Sequence, residues 1–247
     1  MARNFDGTQY LRYAAPLLGH PFTVSVWFYS YNVTTDSYLW SQGDQSSANA
    51  YGLHLNGHLA GDYVGMFSYA AGGDFKEANT TTGYSADTWH HACGVIDSSR
   101  NIAVYLNGGS KGTQTPTTGT PGGLDNTVLG ALQYVNPALA NHLYGALAEV
   151  AGWSAVLTDA EVAVLARGYS PLFVRPQSLV AYWPTIGRTS PEIDLVSSYG
   201  LTLGNAPAVA NHPRIIYPTS PQVGLHFTPA SAASPYMTTS PGLWGPL

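Results

Sequence analysis

The stretch between Leu143 and Gly168 constrains the fold of this chain more than any other part. It begins with a run in which the bulky residues Leu147, Val150 and Trp153 are separated by small ones. This pattern is typical of a strand buried on both faces. Because helix signals follow at once, the sequence predicts a long core strand that leads directly into a helix.

Capping signals predict both ends of that helix. Thr158 is expected to accept hydrogen bonds from the first free N–H groups, and Glu161 completes a capping box. Leu157 can pack against Val162 across the cap, and Gly168 supplies the stop. We therefore expect one short helix that begins just after Thr158.

Composition limits the partners of the chain. Only 9% of the 247 residues are charged, and the formal net charge is −5. Neither value favours nucleic acid or an anionic membrane as a partner. No run is apolar enough to span a bilayer, and no signal peptide is recognisable. The length is compatible with a single large β domain.

The lone cysteine, Cys93, lies in the apolar run H-A-C-G-V-I. We expect it to be buried and unreactive, since no strongly basic side chain is near it in sequence. An intramolecular disulfide is impossible with one cysteine, so folding does not depend on an oxidising compartment.

Short apolar runs separated by turn residues follow one another along the chain. The run 22–30 alternates between an apolar face and a second face that includes Trp27 and Tyr29. Asn56-Gly57 predicts a hairpin, and the Gly-, Thr- and Pro-rich run 110–123 predicts an exposed loop. The predicted strands are 5–13, 22–30, 38–42, 51–56, 59–69, 88–97, 101–106, 126–134, 142–156, 178–183 and 199–203. This spacing predicts an antiparallel sandwich.

Motifs in a fixed order resemble those of laminin-G-like domains of the concanavalin A-like superfamily. They are N-F-D-G-T-Q-Y-L at 4–11, F-T-V-S-V-W-F at 22–28, T-W-H-H-A-C-G-V-I-D at 88–97, I-A-V-Y-L-N-G at 102–108 and the strand–helix unit at 143–168. The resemblance implies an all-β, two-sheet antiparallel jelly-roll sandwich with one short helix. We expect residues 1–210 to form this sandwich, with its core in 1–170 and completing strands in 171–210.

A second resemblance covers the later part of the chain. It rests on S-L-V-A-Y-W at 178–183, Y-G-L-T-L at 199–203 and N-H-P-R-I-I-Y-P at 211–218. These runs are similar to laminin-G-like proteins encoded among the structural genes of tailed bacteriophages and prophages. The resemblance implies a non-enzymatic virion component, a capsid decoration or head-associated protein assembled in the host cytoplasm. Its expected partners are further copies of the chain, the major capsid protein or other virion proteins.

Residues 211–247 predict an extended C-terminal arm. This run holds seven prolines and, among its side chains, a permanent charge only on Arg214. Such a composition cannot build a core of its own, whereas extended arms bind partners through backbone pairing and spaced side-chain pockets. The predicted partner-contacting anchors are Ile215, Ile216, Tyr217, Leu225, Phe227, Tyr236, Leu243 and Trp244.

Carboxylates suited to hydrolysis are not evident. Glycoside hydrolases need two carboxylates at a defined separation. Glu149 has no acidic neighbour two or four residues away, so we interpret it as a buried or edge carboxylate hydrogen-bonded within the fold. Glu192 and Asp194 have the spacing of a catalytic carboxylate pair, but they lie next to Ser190-Pro191 in a predicted turn, where we do not expect catalysis. We therefore assign no catalytic residue and expect a protein that is not an enzyme.

Metal ligands do not form a recognisable set. Some relatives hold Ca²⁺ with oxygen ligands from turn residues. In this sequence no specific motif indicates a Ca²⁺ site, and none excludes one. The acids in predicted turns are Asp44, Asp62, Asp74 and Asp125. Adjacent His90 and His91 point to opposite strand faces, while His54 and His58 flank a hairpin without a third ligand. No cofactor is assigned.

The alternative function is a carbohydrate-binding, lectin-like module on a tail or adhesin that contacts the host surface. Such sites use aromatic rings to stack on sugars and amides to bond hydroxyls. The residues assigned to possible glycan contact are Tyr31, Trp40, Tyr63 and Tyr134. Their rings can instead pack inside the sandwich or at subunit contacts.

Overall fold

The computed structural model describes residues 1–116, 119–134, 139–187 and 189–218. The strands are β1 (Ala2–Asp6), β2 (Tyr10–Tyr13), β3 (Phe22–Ser30), β4 (Ser37–Gly43), β5 (Ala50–Asn56), β6 (Tyr63–Ala70), β7 (Asp74–Asn79), β8 (Trp89–Ile96), β9 (Ile102–Leu106), β10 (Gly109–Gln114), β11 (Asn126–Leu129), β12 (Tyr144–Trp153), β13 (Leu179–Trp183), β14 (Thr202–Gly204) and β15 (Ala208–Ala210). Helix α1 spans Asp159–Ala166, and 3-10 helices span Pro171–Phe173 and Pro176–Ser178.

These strands form two stacked antiparallel sheets. The eight-stranded sheet has the order β10-β9-β8-β3-β12-β1-β15, with β13 also paired to β12. The seven-stranded sheet has the order β14-β2-β11-β4-β5-β6-β7. The chain crosses repeatedly between the sheets, as in a jelly roll. The predicted all-β, two-sheet antiparallel sandwich with one short helix is confirmed.

The main core lies between the two sheets. Alternation places Val24, Val26 and Phe28 of β3 inward, where each is at most 1% exposed. Leu53 and Met66 belong to the same cluster and are fully buried. Full burial of such a side chain stabilises a fold by roughly 1.5–3 kcal/mol.

A smaller core covers part of the outer face of the eight-stranded sheet. Val162 and Leu165 of α1 pack there with Trp153 and Cys93. Cys93 is fully buried, and burial raises the pKa of its thiol. The prediction of a buried cysteine is therefore confirmed. The outer face of this sheet is covered where α1 lies.

The helix begins as the capping signals predict. The Glu161 N–H donates to Thr158 Oγ1 at 3.3 Å, and the Thr158 N–H donates to Glu161 Oε2 at 2.7 Å, which completes the capping box. After the helix, Gly168 adopts a left-handed φ of 86°, a conformation that favours glycine. Within the described ranges, the helices lack the length and apolar character that crossing a bilayer requires.

The structure corrects several predicted strand boundaries. The single strand predicted at 5–13 is two strands, β1 and β2, which belong to different sheets. Gly7, with a φ of 90°, allows the chain to leave one sheet and enter the other. The loop predicted at 110–123 begins as β10, because pairing with β9 supplies hydrogen bonds that composition does not reveal.

Candidate functional site

Four aromatic rings form a band on the outer face of the eight-stranded sheet, at the end away from α1. Tyr29 pairs in register with Trp89, and their ring centroids are 5.7 Å apart. Tyr31 lies two residues beyond Tyr29, so it extends the row, with centroids 5.5 Å apart. Tyr144, at the start of β12, follows at 4.9 Å from Tyr31. We call these four residues the aromatic band.

The aromatic band opens onto a cavity of about 500 Å³. The residues that line it are Met1, Asn4, Tyr29, Tyr31, Trp89, Ala146, Val209, Ala210 and Asn211. The Tyr31 hydroxyl donates to Asn4 Oδ1 at 2.7 Å, which fixes both side chains. Asn4 and Asn211 therefore place amide groups beside the rings. Ring faces next to amides provide both apolar stacking surface and hydrogen bonding.

A second aromatic cluster lies on the outer face of the seven-stranded sheet. Its rings surround a cavity of about 160 Å³ together with Leu132. We call it the aromatic groove, and its rings are those of Tyr38, Phe67, Tyr69, Phe75 and Tyr134. Phe67 and Phe75 contact each other at 5.5 Å, as do Tyr69 and Tyr134. These rings pack mainly on one another.

A loop segment at residues 131–133 lies against β4 beside the groove. The Gln133 N–H donates to Ser41 Oγ at 3.0 Å, which holds the loop on β4. A Cβ on Gly43 would lie 2.1 Å from the Gln133 carbonyl oxygen, so only glycine permits this approach. Gly52 likewise leaves room for the Phe67 ring. The groove is thus narrowed by close backbone packing.

Buried polar groups lie next to the aromatic groove. His54 Nε2 and Glu77 Oε1 are 2.5 Å apart, and the Asn56 amide donates to the same carboxylate at 2.9 Å. Burial raises the pKa of Glu77, but the hydrogen bonds from His54 and Asn56 outweigh it, so the pKa is lowered. The His54 ring also stacks on Tyr38, with centroids 5.0 Å apart. Glu77 is therefore held as a paired, charged group.

Comparison with known proteins places this geometry in a family. The sequence profile of Laminin_G_3, described as the concanavalin A-like lectin/glucanases superfamily, matches residues 5–163. This chain belongs to the Laminin_G_3 family. No curated protein sequence is detectably similar to it.

Solved structures share the fold of this Laminin_G_3 protein at low sequence identity. A heptameric SAP-like pentraxin from Limulus polyphemus is 18% identical, with a TM-score of 0.58, and the match covers 82% of this chain and 94% of the pentraxin. The CBM40 of Ruminococcus gnavus IT-sialidase, solved with α2,3-sialyllactose, is 14% identical, with a TM-score of 0.51 and coverage of 67% and 98%. A candidate carbohydrate-binding protein from Bacteroides ovatus is 19% identical, with a TM-score of 0.55 and coverage of 85% and 61%. These likenesses show the fold.

The ring residues singled out from the sequence are scattered over this Laminin_G_3 fold. Tyr31 lies in the aromatic band and Tyr134 in the aromatic groove. Tyr63 is half-buried at the start of β6, outside both. The assignment of Trp40 to possible glycan contact is corrected: Trp40 is 1% exposed in the main core, so its ring offers no face to a sugar. Trp89 was missed, because only the strand register places it beside Tyr29.

Glu149 is held by tyrosines inside the Laminin_G_3 fold. It lies in β12, is 1% exposed and has a φ of 55°. Its carboxylate accepts hydrogen bonds from the Tyr182 hydroxyl at 2.6 Å and the Tyr217 hydroxyl at 2.7 Å. Burial and then the Glu149 charge raise the pKa of both tyrosines. The prediction of a buried, hydrogen-bonded Glu149 is confirmed.

The E-I-D acids of the turn are also engaged. Glu192 Oε2 pairs with Arg3 Nε at 2.6 Å, and both side chains are almost fully buried. Asp194 accepts hydrogen bonds from the backbone N–H groups of Tyr182, Val196, Ser197 and Tyr199. Both carboxylates thus hold the turn at 192–199 against neighbouring segments.

The side chains weighed as metal ligands are engaged by neighbouring groups in this Laminin_G_3 protein; Asp44, for example, accepts hydrogen bonds from the Ser46 N–H and hydroxyl at 2.7 Å. Within the described ranges, no group of three or more His, Cys, Asp or Glu residues is arranged to hold a metal ion. His90 packs on Phe28 in the main core, whereas His91 contacts Ser25 on the opposite face, as predicted. His54 pairs with Glu77, and His58 is bonded to Asp36.

The predicted arm is described only as far as residue 218. Ile216 bridges to Tyr169, and the Ser170 N–H donates to the Ile216 carbonyl oxygen at 2.9 Å. Tyr217 is bound to Glu149, while Ile215 is half-buried. The remaining anchors lie outside the described residues, namely Leu225, Phe227, Tyr236, Leu243 and Trp244.

Proposed function

We propose that this protein is a non-catalytic carbohydrate-binding module and that the aromatic band is its glycan site. One observation carries the proposal: four rings in mutual contact line or flank a cavity of about 500 Å³ together with two asparagine side chains. Tyr144 is 48% exposed, so a ligand can reach the row from solvent.

The chemistry of sugars fits this surface. A pyranose ring presents C–H groups on its faces and hydroxyls around its edge. The rings of Tyr29 and Trp89 supply apolar area for the faces, and such contacts are typical of ligand sites with a few placed polar groups. Asn4 and Asn211 can bond the hydroxyls as donors and acceptors.

Relatives that share the fold support this proposal. The Ruminococcus gnavus module is solved with a bound sialyllactose, and the Bacteroides ovatus protein is described as a candidate for carbohydrate binding. A jelly-roll sandwich can therefore carry a glycan site, although a fold alone does not determine one.

The engaged acids support the non-catalytic part of the proposal. Glu149 accepts from two tyrosine hydroxyls, and Glu192 is paired with Arg3. A hydrolase of the usual type needs a carboxyl free to donate and a second one at the reacting carbon. We expect no cleavage of any bound glycan. Hydrolysis by the wild-type protein that vanishes in Glu149→Gln would contradict this.

Glycan binding is tested by screening the protein on an array and titrating the best ligand by calorimetry. We expect Trp89→Ala and Tyr29→Ala each to weaken binding about tenfold, since each removes one stacking face. Phe75→Ala is the matched control, because this ring is 46% exposed but lies in the aromatic groove on the other sheet. Equal losses in all three variants, or no ligand on the array, would refute the proposal.

We also propose a second role, assembly into a phage virion as a capsid decoration or head-associated protein. The supporting observation is an apolar patch where the described chain ends. Tyr169, Phe173, Ile216 and Tyr217 are 38–46% exposed there, and Tyr169 contacts both Phe173 and Ile216. Such a patch is typical of a surface that contacts another protein. The pentraxin relative, moreover, is described as heptameric.

The assembly proposal is tested by analytical ultracentrifugation and by mass spectrometry of purified particles. We expect the full chain to form a stable oligomer and to be present in virions. Phe173→Ser combined with Ile216→Ser should dissociate the oligomer, whereas Val156→Ser, at an exposed valine elsewhere, should not. A chain that stays monomeric at high concentration and is missing from particles would refute this role.

A further inference from the structure

One side of the cavity beside the aromatic band comes from the two terminal parts of the described chain. The ring side belongs to the residues 5–163 that match the family profile, and its members are Tyr29, Tyr31, Trp89 and Ala146. The other side, which we call the terminal side, consists of Met1, Asn4, Val209, Ala210 and Asn211. The family profile therefore accounts for the rings but not for the terminal side.

Strand β15, which carries Val209 and Ala210 and leads to Asn211, is a short strand at the edge of the eight-stranded sheet. It pairs with β1 over three residue pairs, from Ala2 with Ala210 to Asn4 with Ala208. A ladder this short supplies few hydrogen bonds. Contacts outside the ladder therefore matter for the position of β15.

Arg3 of β1 supplies such contacts. Side chains alternate along a strand, so Asn4 lines the cavity while Arg3 points to the other face. The Arg3 guanidinium donates to the Pro207 carbonyl oxygen at 3.0 Å, just before β15, and to the Thr189 carbonyl oxygen at 2.5 Å. Its Nε pairs with the buried Glu192 carboxylate at 2.6 Å. The planar fork of Arg3 thus ties the start of β15 to β1.

Glu149 holds the same segment at its far end. The Tyr217 hydroxyl donates to Glu149 Oε1 at 2.7 Å, and His212 Nε2 lies 3.2 Å from the same oxygen. The segment 207–217 is therefore held on both sides of Asn211 by charged side chains, Arg3 before it and Glu149 after it, that are at most 4% exposed. Both side chains lie outside the lining of the cavity.

We propose that Arg3 is a positioning residue for the glycan site, because it holds β15 where Val209 and Asn211 contact the ligand and determine which glycans bind. This inference rests on the proposed glycan site and assigns its specificity to residues outside the family profile. Arg3 acts without touching the ligand. Loss of its fork leaves the rings in place but lets the Asn211 amide shift, which weakens its hydrogen bonds to sugar hydroxyls.

Two variants test the terminal side by calorimetry with the best ligand from the array. Asn211→Ala should weaken binding about three- to fivefold, as loss of one hydrogen bond does, and should change the rank order of the array glycans. Val209→Ser should weaken binding about two- to threefold through lost apolar contact. Val156→Ser is the matched control, because Val156 is also an exposed valine but lies just before α1, and it should leave the affinity unchanged.

Arg3→Lys tests the positioning role. Lysine keeps the positive charge beside Glu192 but cannot donate in the geometry of the fork. We expect it to weaken binding about three- to fivefold. Arg175→Lys alters the Arg175–Glu161 pair beside α1 and should leave the affinity unchanged. Adding Asn211→Ala to Arg3→Lys should cost less than about twofold more, because the amide has already lost its place.

The outcomes separate this inference from the glycan site itself. Weaker binding in Asn211→Ala and Arg3→Lys, with losses that do not add, supports both. Binding that is lost in Trp89→Ala but kept in Asn211→Ala and Arg3→Lys overturns the positioning role and leaves the site standing. Fully additive losses also overturn that role, since Arg3 would then act independently of Asn211. An array without any bound glycan overturns both proposals.

A second variant covers the case in which Arg3→Lys fails to fold. Tyr217→Phe keeps the ring but removes the hydrogen bond to Glu149, so it loosens the other end of the segment 207–217. It should weaken binding about twofold, and its loss should not add to that of Asn211→Ala. Wild-type affinity in Tyr217→Phe, or a fully additive loss, would overturn the proposal.

Discussion

The aromatic band and the aromatic groove use the same residue types on opposite sides of the molecule, yet they differ in what they offer a ligand. In the band, Tyr144 is 48% exposed and the rings open onto about 500 Å³. In the groove, Phe75 is 46% exposed, but Phe67 is only 3% exposed and the cavity is about 160 Å³. The two clusters therefore differ in the size of the adjoining cavity more than in ring content or in the exposure of their outermost rings.

The cause of the difference is local. Beside the groove, glycines at 43 and 52 let a loop and a ring lie against the sheet. On the eight-stranded sheet, α1 covers the outer face around Cys93 and Trp153 but does not extend over Tyr29. The same strands thus carry a packed half and an open half.

The largest expected effect comes from forcing the groove loop off its sheet. In Gly43→Ala, the new methyl group would meet the Gln133 carbonyl oxygen at 2.1 Å. We expect a loss of about 2–3 kcal/mol in the free energy of unfolding, as overpacking typically costs. Urea denaturation measures it. Gly122→Ala, which meets no atom within 4 Å, is the control and should stay within about 0.5 kcal/mol. Unchanged stability in Gly43→Ala would show that the groove is not tightly covered.

A buried histidine on the eight-stranded sheet should make stability depend on pH. Burial lowers the pKa of His91 to about 3, from an ordinary value of 6.5. The unfolded chain takes up this proton below about pH 6.5, while the folded protein does not until about pH 3. As the pH is lowered from about 6.5 to about 3, the free energy of unfolding therefore falls, by about 1.4 kcal/mol per pH unit.

His91→Gln isolates this contribution, because the amide can still bond the Ser25 hydroxyl. Urea denaturation should show that, from pH 6 to pH 4, the free energy of unfolding declines less steeply in the variant than in the wild type. The difference in slope should correspond to roughly one bound proton. Identical slopes for the two proteins would mean that His91 is not held neutral by burial.

Loss of either of two similarly exposed rings should change glycan affinity by different amounts. Tyr144 and Phe75 are 48% and 46% exposed, in the band and in the groove. Tyr144→Ala should weaken binding about five- to tenfold, that is by about 1–1.4 kcal/mol, through loss of one stacking face. Phe75→Ala should leave calorimetric affinity within about twofold. The reverse pattern would move the site to the groove.

The smallest expected effect concerns one hydroxyl. Tyr31→Phe keeps the ring but removes the hydrogen bond to Asn4 Oδ1. We expect binding to weaken about two- to fourfold, because the Asn4 amide is less firmly oriented. Thermal denaturation should be nearly unchanged. A tenfold loss would mean that the hydroxyl itself contacts the sugar.

The sequence indicates the fold well because local signals and packing agree. Thr158 and Glu161 form the capping box that their spacing predicts, and the alternation of β3 buries Val24 and Val26. The candidate site is less predictable. Trp89 joins Tyr29 only through the register of β8 with β3, which sequence spacing does not reveal. Trp40 looked as available as Tyr31, yet it lies in the core.

Chemical-shift mapping with a bound glycan tests the central claim most directly. The Trp89 indole N–H and the amides of Tyr29 and Tyr31 should shift on titration, while those of Phe67 and Tyr69 should stay in place. Shifts confined to the groove resonances, with the Trp89 indole unmoved at saturation, would contradict the account.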